Sequence, residues 1–134
     1  MASPNAAPTR ARPLSPHLSV YRLTLTMAMS IVHRITGGAL YVGTLLLAWF
    51  LIATSMDASA FATVSAFLHS IIGRLILFGF SWAWFHHALG GVRHLIWDAG
   101  YGFDKPEREW LAQGTLIGGL VLTILIWSIG YAVR

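Results

Sequence analysis

An all-α integral membrane fold with three transmembrane helices is what this sequence predicts, and three observations lead there. Apolar residues make up 56% of the 134 and charged residues only 10%, with a mean hydropathy of +0.65. A water-facing domain usually carries about 25% charged residues. No Asp, Glu, Lys or Arg falls between Arg34 and Asp57, between Arg74 and Arg93, or between Trp110 and Val133. Each gap is near the roughly 20 residues that cross a hydrocarbon core as a helix. The thirteen glycines and six tryptophans suit the same setting, since both are common within spanning helices or at their ends.

The length suits one domain. Residues 1–22 read as a tail: four prolines stand in Met1–Pro16, and Arg10, Arg12 and Arg22 have no acid among them. A mitochondrial transit peptide is also rich in Arg and poor in acids, but this segment is short and lacks an amphipathic helix. An apolar core near Met1, as a secretory signal needs, is missing. The tail is therefore expected to stay uncleaved and to pack at the membrane surface. Residues 23–134 form the anchor domain, with helices over about 24–54, 66–97 and 110–133 and a loop over about 54–63. The first helix starts upstream of Arg34 because Leu23–His33 is also mostly apolar.

Orientation follows from the basic residues. The tail has three Arg, the first loop none, and the second loop has Lys105 and Arg108. This puts the N terminus and the Asp98–Glu109 loop on the cytoplasmic or matrix side, with Arg134 on the other. Arg74 then lies near the far interface, where it snorkels as an anchor. Other classes fall away. With no cysteine there are no disulfides, thiolate-held iron–sulfur clusters, c-type haem attachment or cysteine nucleophiles. The net charge of +4 is too small and scattered for a nucleic-acid face. A small transporter is disfavoured because the apolar spans hold no acidic residue.

The informative residues are polar ones inside those spans, since each is costly unless it faces protein, water or a ligand. Ser30, Arg34, Gly37 and Tyr41 line one face of the first helix. Gly37 leaves room there for a partner helix or a flat ligand. Arg34 cannot shed its charge and needs an anion or strong acceptor, such as a quinone carbonyl or a haem carboxylate. On the second helix His87, Gly91, His94 and Asp98 share a narrow face, while His86 and Arg93 share another. An inward imidazole serves either as an axial haem ligand, with a glycine one turn away making room for the porphyrin, or as a helix–helix hydrogen-bond group. Arg93 and His94, nearer the surface, suit carboxylates. The tryptophans read as interface anchors, Gly114-x-x-x-Gly118 as a packing signal, and Asp104–Glu109 as a solvated loop. His17 and His69 read as structural or solvent-exposed.

Three blocks carry a resemblance: Arg12-Pro13-Leu14-Ser15-Pro16-His17-Leu18, Ser30-x-x-His33-Arg34-x-Thr36-Gly37, and His87-x-x-x-Gly91-x-Arg93-His94-Leu95-x-x-Asp98. Together they resemble the large cytochrome b membrane-anchor subunit of succinate dehydrogenase, along essentially the whole chain. The resemblance implies a helical bundle that binds haem b and is completed by a second small anchor subunit, in a bacterial inner membrane. It makes His87 the axial iron ligand, and the spacing to Gly91, Arg93 and His94 selects His87 over His86. Ser30 and Arg34 fall at a ubiquinone site, and His33, Arg34, Arg93 and His94 near the haem propionates. An iron–sulfur subunit and a flavoprotein would dock on the cytoplasmic face, and succinate would be oxidised in the flavoprotein. The alternatives are the anchor of a fumarate reductase or another quinone-reactive b-haem complex, and a haem-free structural anchor.

Overall fold

The computed structural model describes Val20 and residues 22–133. The tail block around Arg12–Leu18, with Arg10 and His17, and Arg134 lie outside the described residues. Four helices follow in order: α1 Leu25–Met56, α2 Ala58–His69, α3 Ile71–Asp98 and α4 Lys105–Ala132. There is no strand among the described residues. Three of the four, α1, α3 and α4, are long and apolar enough to cross a membrane. At 32 residues α1 is about 48 Å long, more than the roughly 30 Å of a hydrocarbon core. A helix of 12 residues, about 18 Å, cannot span, and α2 instead packs at one end of the bundle.

That short helix is where the structure departs from the sequence reading of a loop over 54–63 followed by a helix from 66. Asp57 ends α1 in extended backbone and caps α2, its carboxylate accepting from Ser59 N, Ser59 Oγ and Ala60 N. The Ser59 hydroxyl, then the Ala60 and Ser59 N–H groups, hold this carboxyl below its ordinary value. Its stabilising effect is complete above the ordinary carboxylate pKa and fades as pH falls through the lowered one. The chain then folds back along α1, placing Phe67 against Trp49 and Phe61 against Phe50. Ser70 makes the second corner, its hydroxyl capping α3 at Gly73 N. A stretch whose one charged residue between Arg34 and Arg74 is Asp57 therefore divides at Asp57 and Ser70 into α1, α2 and the start of α3.

The other connection is short. Gly100 and Gly102 adopt left-handed backbone (φ 88° and 78°), and Tyr101 N reaches back to the Ile96 carbonyl, a Schellman-type close of α3. Trp97 Nε1 donates to the Gly102 carbonyl and pins the turn. Asp104 precedes α4, whose first turn holds Pro106, where a missing N–H costs nothing.

Packing inverts the pattern of a soluble domain. Large apolar residues such as Leu45, Ile72 and Val121 face outward, while the buried set, Met29 and Val64 apart, is small or polar, including Ala53, Ala83, Ala112, Thr36, Thr115 and Thr123. Lipid gives no hydrophobic drive between helices, so close backbone approach and internal hydrogen bonds hold the interfaces. Thr115 and Thr123 donate to carbonyls one turn back on α4 and bury their hydroxyls satisfied. Gly118 receives Leu89, and Gly119 lies against the backbone of His86; Gly114 faces open space. The α3–α4 contact thus uses Gly118 and Gly119, and Gly114 of the expected motif takes no part.

The α2–α3 corner is the least forgiving place for a side chain. A Cβ on Gly73 would overlap the Phe67 carbonyl oxygen and come 2.8 Å from Leu68 Cα, both backbone atoms. Gly79, on the same helix, has nothing within 4 Å. Gly73→Ala is expected to destabilise the protein by about 1–3 kcal/mol, as overpacking does. Gly79→Ala should stay within about 1 kcal/mol of wild type. Thermal unfolding of the solubilised protein followed by circular dichroism compares the two, and equal transitions would refute the corner argument.

Candidate functional site

The α1–α3 interface rests on glycine: Phe80 of α3 lies over Gly43 of α1, and beside it stand two reciprocal contacts. His87 of α3 lies over Gly37 of α1, where an added Cβ would sit 2.9 Å from His87 Cε1. His33 of α1 lies over Gly90 of α3, where an added Cβ would overlap the His33 ring. Each helix offers a glycine to the histidine of the other. The two imidazoles end up stacked, with centroids 3.9 Å apart and planes within 4°. His94, two turns further along α3 and exposed, tilts toward His33 at 5.4 Å and meets Trp97 edge-on at 5.2 Å.

Hydrogen bonds fix how His87 presents itself. Its Nδ1 lies 3.1 Å from the His33 carbonyl oxygen and 3.4 Å from Thr36 Oγ1. A carbonyl only accepts, so Nδ1 is the donor and carries the hydrogen. The lone pair of the neutral ring is then on Nε2, the atom an axial ligand offers to a metal. Thr36 also donates to the His33 carbonyl, at 2.9 Å, and is itself 2% exposed. Thr36 and Gly90 are parts of this arrangement to which the sequence reading gave no role. Thr36 sits one turn from His33, and that spacing was the available signal.

Arg93 is 2% exposed, and its Nε and one Nη are buried without a hydrogen-bond partner. The guanidinium lies 5.1 Å from the centre of the Trp97 ring, a cation–π contact that leaves those donors unmet. His33 Nδ1 is likewise buried and unpartnered. Such groups normally find a partner, because an unmet buried donor costs about 1–3 kcal/mol and more when charged. Gly91, one turn from His87, has nothing within 4 Å of an added Cβ. A lone pair on His87, unmet donors at Arg93, an unpartnered ring nitrogen at His33 and open space at Gly91 fit a haem: a nitrogen for the iron, partners for carboxylates and room for a flat ring.

His86 is set apart from this group. It is fully buried on the α4 side, its Cα 3.2 Å from where a Cβ on Gly119 would be, with Trp82 stacked at 5.2 Å. Both of its ring nitrogens lack a partner. Ser30, Arg34 and Tyr41 are all exposed on α1. Of the two occupants expected beside Gly37, a partner helix or a flat ligand, it is the partner helix that takes the position, with the His87 ring of α3 against it. The open glycine is Gly38. Asp98, at the end of α3, is exposed.

Because both histidines rest on glycine backbone, the interface predicts a sharp contrast between neighbours. Gly90→Ala should displace His33 and destabilise the protein by about 1–3 kcal/mol. Gly91→Ala, facing open space, should change stability by less than about 1 kcal/mol. Thermal melts of the two solubilised variants measure this, and a Gly91→Ala loss as large as that of Gly90→Ala would contradict the interlock.

Comparison with known proteins accords with this architecture. The family described as succinate dehydrogenase/fumarate reductase transmembrane subunit matches residues 8–126. A succinate dehydrogenase cytochrome b556 subunit of Paracoccus denitrificans is 45% identical over 114 residues, 85% of this chain and 88% of that protein. One from Rickettsia felis is 39% identical over 116 residues, 87% of this chain and 90% of its own length. The mitochondrial succinate dehydrogenase cytochrome b560 subunit of Sus scrofa is 39% identical over 123 residues, 90% of this chain and 70% of its own. Sequence blocks, helical architecture and relatives agree: this chain belongs to the succinate dehydrogenase/fumarate reductase transmembrane subunit family.

Proposed function

We propose that this chain is a cytochrome b anchor subunit of a succinate:ubiquinone oxidoreductase in a bacterial inner membrane. In this reading it binds haem b and forms part of the ubiquinone-reduction site. The observation that carries the haem assignment is the hydrogen bond from His87 Nδ1 to the His33 carbonyl, which leaves Nε2 as the free lone pair. His87 would then hold the haem iron, and the unmet donors of Arg93, the unpartnered nitrogen of His33 and His94 beside it would hold the propionates. His86 is a poorer candidate, since ligation there would require α3 and α4 to separate at Gly119. When bound, haem b supplies a one-electron store close to the quinone.

Ser30 and Arg34 serve the quinone from the exposed face of α1. Reducing a quinone takes two electrons and two protons, and negative charge builds on its oxygens. Arg34, also close enough along α1 to share a propionate, stabilises that charge where the low dielectric strengthens the interaction. The Ser30 hydroxyl orients a carbonyl oxygen and passes it a proton. Both residues are in the first three turns of α1, near the end that the basic tail puts on the cytoplasmic side. There a second small anchor subunit completes the bundle, and an iron–sulfur subunit and a flavoprotein that oxidises succinate dock from the cytoplasm.

Two measurements test this. In reduced-minus-oxidised spectra of membranes, His87→Tyr should lose or shift the b-type α band while His86→Ala keeps it. An unchanged band in both would remove haem from His87. Arg34→Leu should lower succinate–quinone reduction about 100-fold, the scale of losing one charge-stabilising donor, and Ser30→Ala should lower it less. Artificial-dye reduction by the soluble subunits should persist in both variants, and an equal fall in the two activities would refute the quinone assignment.

A further inference from the structure

The end of the bundle away from the Asp98–Glu109 loop, where α3 begins and α4 finishes, holds a groove of about 560 Å³. Its walls are apolar, with Leu77 of α3 and Ile126 and Trp127 of α4, and its polar lining includes His69, Arg74 and Tyr131. Polar atoms along the α3–α4 wall already have partners: Trp127 Nε1 donates to Ser81 Oγ, which donates to the Leu77 carbonyl. Those atoms require no ligand. Arg74 differs. Its Nε donates to the His69 carbonyl at 2.8 Å, and among the described residues no hydrogen bond takes its other four N–H donors.

Charge selects the occupant. No acidic residue lines the groove, and four of the chain's five acids lie in residues 98–109, at the opposite end. Arg74 stands in the first turn of α3, where the positive end of the helix dipole adds to its own charge. Three helices long enough to cross a bilayer put this cationic, apolar-walled groove at one membrane edge. A free phosphate would use Arg74 and leave the walls bare. An isoprenoid quinone would cover the walls but offer the guanidinium only neutral carbonyls. A phospholipid with a negative headgroup matches both. We infer that the groove binds an anionic phospholipid, its phosphate at Arg74 and its acyl chains along Leu77, Ile126 and Trp127. Arg74, in the first turn of α3, is about 20 Å along the helix from His87, and the site does not rest on the haem or quinone reading.

The test uses the purified complex, titrated in detergent with phosphatidylglycerol or phosphatidylcholine, with bound lipid counted by native mass spectrometry. Arg74→Gln should weaken phosphatidylglycerol binding about fivefold, the effect of one cation near an anionic headgroup, with phosphatidylcholine unchanged. Arg74→Lys should keep most of the preference. Gly130→Leu gives a second handle, because Gly130 lines the groove and a Cβ there meets nothing within 4 Å. It should reduce binding of both lipids without harming the fold. Equal phosphatidylglycerol binding by wild type and Arg74→Gln would overturn the proposal. So would displacement of the bound lipid by ubiquinone, or by excess inorganic phosphate.

Discussion

The contact on which the rest of this structure depends is the reciprocal seating of two histidines on two glycines. In hydrocarbon, helices gain little from burying Leu against Leu, because lipid solvates both equally well. Close approach must come from positions with no side chain. Gly37 and Gly90 supply them for α1 and α3, and the imidazoles of His87 and His33 fill the space. The His33 carbonyl then accepts from Thr36 on its own helix and from His87 across the interface. One crossing therefore sets the helix separation and the direction of the free lone pair on His87.

The same economy leaves some demands unmet within the chain. Buried threonines satisfy themselves on their own helices, but Arg93, His33 and His86 bury nitrogens with no partner. A bundle that excludes water cannot leave a charged guanidinium unpaired without a large penalty. Arg93 and His33 therefore leave a demand that a carboxylate-bearing group outside the chain could meet. His86 is packed on α4 backbone and stacked on Trp82. Adjacent histidines thus belong to different interfaces, one facing α1 and a flank with room, the other sealed against α4.

The two ends of the bundle also differ in chemistry. The α3–α4 turn is fixed by two glycines in left-handed backbone and is surrounded by acids and exposed aromatics such as Tyr101 and Trp110. The α2 end carries Arg74 and His69 beside apolar walls. This asymmetry arises from where the few charges can sit, since almost every one must reach the edge of a 30 Å slab of hydrocarbon.

How much of this is legible in the sequence depends on the kind of signal. Three spans follow directly from stretches without charge, because an ionised residue in lipid is too costly to place casually. The separate faces of His87 and His86 follow from 100° per residue, and the two histidines do lie on different sides of α3. Helix α2 was not legible: the 12 uncharged, mostly apolar residues after Asp57 satisfy the same composition whether they form a loop, part of a span or a short helix. Only the Asp57 and Ser70 caps decide. Nor could helical periodicity show which of the two, a partner helix or a flat ligand, fills the space at Gly37, or that Gly90 and not Gly91 carries the crossing. Periodicity assigns a residue to a face of its own helix. Which glycine meets which ring depends on the relative rotation and offset of two helices, and only their packing sets those.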